Sequence, residues 1–127
     1  MVNIRNRLVR DLKSLGLPIE EVDFRTPKYS KKYYGFYVIK YPDSNFDKPR
    51  LYVYLCEDKA GKKVYDYSFL LDTAIHEMCH HLQWRNPNYV RYLHIMHDDE
   101  FKRYYDYYIY KAKLIGVLED DYESEAA

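Results

Sequence analysis

The chain has 127 residues, 47% hydrophobic and 31% charged, which fits one soluble globular domain and leaves little room for a second. Net charge is zero, but residues 1–63 carry 14 Lys/Arg against 8 Asp/Glu and residues 64–127 carry 6 against 12, so a basic half, suited to phosphate or an acidic partner, precedes an acidic one that would equally attract it. Two cysteines, Cys56 and Cys79, exclude a disulfide framework. The start alternates Arg with aliphatics, unlike a secretory signal, and no run approaches a membrane span, so an intracellular setting (cytoplasmic, nucleoid or nuclear) and no membrane partner are expected.

Ile4, Leu8, Leu12 and Leu15 recur at helical spacing with Arg5, Arg7, Arg10 and Lys13 between them. This predicts a helix over about residues 2–15, closed by Gly16 and Pro18. Residues 18–32 are polar, hold Pro18 and Pro27, and read as a loop. Residues 34–41 and 50–56 are rich in β-branched and aromatic residues and read as strands, with a turn beginning at Pro42-Asp43-Ser44-Asn45. A second turn at Asp58–Gly61 leads to a short third strand at Lys63-Val64-Tyr65. The expectation is an α+β domain with a small antiparallel sheet of about three strands.

From Tyr67 to Trp84 the spacing turns helical, until Asn86-Pro87-Asn88 breaks it. A last helix is predicted over about Asp98–Ile115, with acidic residues in its first turn and Gly116 at its end. The core is expected to span 1–118, followed by an acidic, disordered tail over 119–127. The chain also contains 17 Tyr, which give buried area while keeping a polar tip; most are expected to be structural.

The chemistry lies in His76-Glu77-Met78-Cys79-His80. Four-residue spacing puts two imidazoles on one helical face, where both reach one Zn²⁺, and the Glu between them is placed to take a proton from a water on the metal. At 100° per residue, Ser68, Leu71, Ile75, Met78, Cys79 and Leu82 gather on one side and the two histidines nearly opposite, so an apolar back and a separate metal face are expected. Cys79 belongs to the apolar back and reads as a packed thiol. A catalytic zinc needs a third protein ligand. His97, just before the last helix, is favoured; His94 and a carboxylate among Asp98, Asp99 and Glu100 are the alternatives. His81 points about 100° away from His80, toward solvent or a supporting position.

The stretch Thr73-Ala74-Ile75-His76-Glu77-Met78-Cys79-His80-His81 resembles the active helix of SprT-like metalloproteases, which include the Spartan type of DNA–protein crosslink protease. The His97-Asp98-Asp99-Glu100-Phe101 segment resembles that family's third-ligand pattern, with Asp98 where Gly is usual, and Tyr110–Gly116 resembles the end of its closing helix. The resemblance covers about residues 50–116, in a minimal form without the zinc ribbon that many members carry.

It implies a zincin-like fold in which His76, His80 and His97 hold Zn²⁺. It also implies that Glu77 acts as general base on a zinc-bound water, and that protein or peptide is the substrate, DNA-associated or DNA-crosslinked proteins among them. An extended substrate would pair with an edge strand near Leu51–Cys56. Tyr104 or Tyr105 is the candidate to hydrogen-bond the oxyanion. If DNA is a partner, charge selects Arg5, Arg7, Arg10, Lys28, Lys31, Lys32, Lys62 and Lys63. Two other readings stay open: a non-catalytic zinc-bound domain that binds DNA or protein, and a gluzincin-like regulatory peptidase that cleaves a repressor through a carboxylate third ligand.

Overall fold

A computed structural model describes residues 2–39, 45, 47–86 and 97–124. Helix α1 spans Val2–Ser14, and a 3₁₀ turn covers Ile19–Glu21. Strands β1 (Asp23–Arg25), β2 (Gly35–Val38) and β3 (Arg50–Val53) follow, then helices α2 (Tyr67–Arg85) and α3 (Asp99–Leu114). The fold is thus α+β, as expected. The predicted turn at 42–44 and the candidate ligand His94 lie outside the described residues.

The leucine stripe explains α1: Leu8, Leu12 and Leu15 are fully buried. Gly16, at φ 80°, stops the helix, and Leu17 N–H donates back to the Leu12 carbonyl at 3.1 Å. The same device ends α3. Gly116 sits at φ 82°, and Val117 N–H donates to the Ala112 carbonyl at 3.0 Å. Both satisfy carbonyls that a helix end leaves open.

The sheet differs from the predicted antiparallel meander. Its order is β1-β3-β2, with β1 parallel and β2 antiparallel to β3. Strand β1 falls in the stretch read as a loop. It has one buried apolar side chain, Phe24, and its register, Phe24 opposite Leu51, comes from a distant partner that no local pattern reports. The predicted strand at 63–65 reduces to a single bridge between Cys56 and Val64. Asp58, whose carboxylate accepts from the backbone N–H of Lys62 and Lys63, holds that segment as a tight turn instead. Strand β3 lies at the sheet centre, with Leu51 and Val53 pointing into the core. The segment expected to be an edge is therefore interior, and β2 takes the edge.

Helix α2 is the hub, in contact with α1, β2, β3 and α3. It is buried nearly all round, polar residues Asp72, Thr73, Glu77, His80, His81 and Gln83 included. The predicted apolar back exists in Leu71, Ile75, Met78, Cys79 and Leu82, but the opposite face is roofed by α3 rather than open. Cys56 and Cys79 are buried free thiols. Among the described residues no helix is long and apolar enough to cross a membrane.

After α3, Leu118 is buried, the Tyr122 hydroxyl donates to Asp72 Oδ2 at 2.6 Å, and Ser124 meets the Tyr105 hydroxyl.

One buried bond sets an alkaline limit. The Tyr67 hydroxyl donates to Asp11 Oδ2 at 2.6 Å, and burial first, then this carboxylate, pushes the phenol above its ordinary range. The unfolded chain releases that proton near pH ~10 while the native state holds it. The stabilisation is complete below about pH 10 and is lost as pH rises beyond it. Urea midpoints between pH 8 and 11 are expected to fall less steeply for Tyr67→Phe than for wild type; parallel curves would contradict this.

Candidate metal centre

Helix α2 sets His76 and His80 one turn apart with their rings edge to face, centroids 4.9 Å apart and Nε2 atoms 3.2 Å apart. The start of α3 brings His97, whose Nε2 lies 3.2 Å from that of His76. The ligand atoms of all three lie within 4.8 Å of one another. Two nitrogens about 2.0–2.1 Å from one Zn²⁺ at a tetrahedral angle stand roughly 3.3 Å apart. The donor set therefore fits a metal ion held by three imidazoles, although it does not by itself identify which metal. His80 is 7% exposed, His76 is half-buried and His97 is exposed, so the centre opens to solvent on the His97 side.

The start of α3 is anchored by Asp98. Its Oδ1 accepts from the Phe101 backbone N–H at 2.9 Å, an N-cap immediately after His97. The same Oδ1 accepts from Gln83 Nε2 at 2.8 Å, and Gln83 Oε1 lies 3.0 Å from His80 Nδ1. The polarity of this chain follows from elementary chemistry. A carboxylate only accepts, so the Gln83 amide must donate to Asp98 and turn its carbonyl to His80. His80 then carries its proton on Nδ1 and presents the Nε2 lone pair to the other two histidines. Burial, reinforced by the neighbouring imidazoles, pulls the His80 pKa down to about 4, so its ring is neutral at neutral pH.

Beneath the imidazoles lies Phe101, 2% exposed. Its ring stacks on His80 with centroids 4.7 Å apart and meets His76 and His97 edge-on at 4.9 and 4.8 Å. Tyr105 stacks on Phe101 at 5.7 Å, and its hydroxyl donates to buried Asp72. Tyr105, proposed from sequence to hydrogen-bond an oxyanion, thus turns its hydroxyl into the core, where it braces the floor of the centre. Tyr104 packs half-buried against the core.

Glu77 is 8% exposed, and burial pushes its carboxyl up to about 8. A nearby cation favours the ionised form and opposes that shift. Glu77 and His76 both line a cavity of about 480 Å³ that runs toward β2. His81, expected to face solvent or take a supporting position, is 4% exposed. Its Nδ1 meets the Tyr37 hydroxyl at 2.7 Å and its Nε2 meets Glu21 Oε1 at 2.8 Å, so both ring nitrogens are engaged away from the metal centre. Glu21 in turn pairs with Arg85 at 3.0 Å.

The basic residues selected from charge do not gather at the centre. Arg5 donates to the Phe24 carbonyl, Arg7 lies over the Tyr67 ring, and Arg10 pairs with Asp11. Among the described residues of that group, Lys32 is the one that lines the cavity beside His76 and Glu77. Gln83 went unnoticed in the sequence. Its signal was a side chain with both a donor and an acceptor, three residues after His80 on the same helix.

Partners that orient a metal-binding imidazole typically account for 10–100-fold in metal affinity. Gln83→Leu, which removes the acceptor from His80 Nδ1, is expected to weaken zinc binding by about that factor, measured by competition with a chromogenic chelator. An unchanged affinity would show that Phe101 packing alone orients His80.

No protein-family model, curated protein or solved structure matches the chain. The geometry of the residues therefore carries the functional reading.

Proposed function

We propose that the chain is an intracellular zinc metallopeptidase with a zincin-like, SprT-like active centre. Its substrates are protein chains, with DNA-associated or DNA-crosslinked proteins as the class the sequence resemblance favours. The observation that carries this reading is the convergence of His76, His80 and His97, with His76 and Glu77 together lining one cavity. A purely structural zinc site is closed by four protein ligands; three imidazoles opening to solvent, with a buried carboxyl alongside, suit hydrolysis better.

His76, His80 and His97 would hold the ion. When bound, zinc supplies a Lewis acid for the scissile carbonyl and lowers the pKa of water. Glu77 takes the proton of the attacking water on a carboxylate oxygen and delivers it to the leaving amine nitrogen. Gln83 and Asp98 keep the His80 lone pair aimed, and Phe101 excludes water from the back of the imidazoles. Strand β2, at the sheet edge and beside the cavity through Gly35, offers backbone groups for pairing with an extended peptide. Lys32 puts one positive charge beside that path, a favourable contact for a substrate that arrives with nucleic acid.

The test is hydrolysis of an unfolded protein by zinc-loaded wild type beside zinc-loaded Glu77→Gln. Cleavage by the first and not by the second supports the reading.

A further inference from the structure

The cavity beside Glu77 has a definite chemistry. Its base is a stripe on α2, Phe69, Thr73 and Glu77, at four-residue spacing and so on one helical face. The Thr73 hydroxyl donates to the Phe69 carbonyl at 2.9 Å, so the polar end of this side chain is occupied within the helix. A Cβ at Gly35 would stand 2.7 Å from the Thr73 methyl carbon and 3.1 Å from Glu77 Cγ. The bare backbone of β2 therefore lies directly on the stripe, and any side chain at residue 35 would press on Thr73 and Glu77. The far wall is aromatic. Tyr34 meets Phe69 edge to face at 5.1 Å and Tyr65 at 5.8 Å, yet its ring is 60% exposed. Tyr33 lies beside it on the same cavity, with Lys32 Nζ 5.3 Å from its ring centre.

We propose that this cavity is a specificity subsite that takes an aromatic side chain of the peptide, next to the bond held at the metal centre. The proposal rests on the peptidase reading above. Three features point to an aromatic occupant. The cavity is continuous with the centre, since His76 and Glu77 form its inner end. Its wall of Tyr34 and Phe69, already set edge to face, offers a third ring the tilted contacts that aromatic groups favour. Among the described residues of its lining the one cation, Lys32, sits over Tyr33 at the rim rather than at the base, so a carboxylate gains little there.

The experiment is isothermal titration of the zinc-loaded protein with three probes: the hydroxamates of phenylalanine, alanine and aspartic acid. The hydroxamate anchors each probe at the metal, and the side chain reports the cavity. Burial of a phenyl group predicts that the phenylalanine probe binds roughly ten- to a hundredfold more tightly than the alanine probe. Tyr34→Ala, a change at an exposed ring, is expected to remove most of that advantage, with the alanine probe reporting the metal centre in both proteins. Equal affinity for the phenylalanine and alanine probes, or tightest binding of the aspartic probe, overturns the subsite and leaves the peptidase reading standing. So does an advantage that Tyr34→Ala leaves intact. A phenylalanine preference that depends on Tyr34, in a protein that hydrolyses no peptide, supports the subsite and removes the peptidase reading. A zinc-loaded protein that binds none of the probes overturns the subsite as well.

Discussion

Glu77→Gln is expected to keep its metal and lose about 10²- to 10⁴-fold in the rate of peptide hydrolysis, the range that a positioned acid–base group supplies. The two side chains share shape and volume, so the packing around residue 77, only 8% exposed, is preserved. What changes is proton chemistry, since an amide does not accept a proton from water at neutral pH. Folding should not suffer, because burial already disfavours the carboxylate and pushes its pKa up to about 8. The comparison is made on proteins shown to contain equal zinc. Equal rates at equal occupancy would place the proton transfer elsewhere.

Asp72→Ala is expected to cost about 3 kcal/mol of stability, from hydrogen bonds to a charged group worth roughly 1.5–3 kcal/mol each. Asp72 is 1% exposed, and its two oxygens accept from the hydroxyls of Tyr105 and Tyr122. Without it, both hydroxyls lose that acceptor; Tyr105, at 3% exposure, stays away from water, while Tyr122 can turn to it. The loss therefore falls mostly on the Tyr105 side, and Tyr122→Phe is expected to cost only about 1 kcal/mol. Urea unfolding of the three proteins checks both values. A stable Asp72→Ala protein would mean that the α2–α3 contact is held by apolar packing alone. Because Tyr105 stacks on Phe101 and Phe101 on His80, the same substitution should also weaken zinc binding.

Much of this arrangement was legible in the chain. The leucine stripe of α1, the helix around His76 and His80, and the acidic start of α3 are local patterns, and local patterns survive into the fold. His97 was also readable as the favoured third ligand from its place just before the last helix, and its ligand atom lies with those of His76 and His80. Strand β1 was not readable. Three residues with one buried apolar side chain take their register from β3, twenty-seven positions away in the Asp23–Arg50 pairing, and a parallel pairing leaves no turn signature. The antiparallel meander failed for a local reason: the 63–65 segment has strand composition, but Asp58 accepts from the N–H of Lys62 and Lys63, and the pairing reduces to the Cys56–Val64 bridge. Helical-wheel reasoning divided α2 into a packing face and a metal face, and missed that a hub helix is covered on both. That coverage is what buries His80, His81 and Gln83, and it makes His81 the link between Tyr37 and Glu21. Asp98 shows how one position resists a reading by resemblance. Where the resembled pattern has glycine, this chain has a carboxylate that caps α3 and, through Gln83, sets which nitrogen of His80 carries the proton.

His76, His80 and His97 are placed to hold one metal ion. Zinc content per chain, measured after purification and dialysis against trace zinc, tests it most directly in wild type and His97→Ala. The geometry predicts one zinc per wild-type chain and a large loss of zinc in His97→Ala, since two imidazoles alone make a weak site. Full occupancy in His97→Ala would contradict it and move the third ligand to another residue.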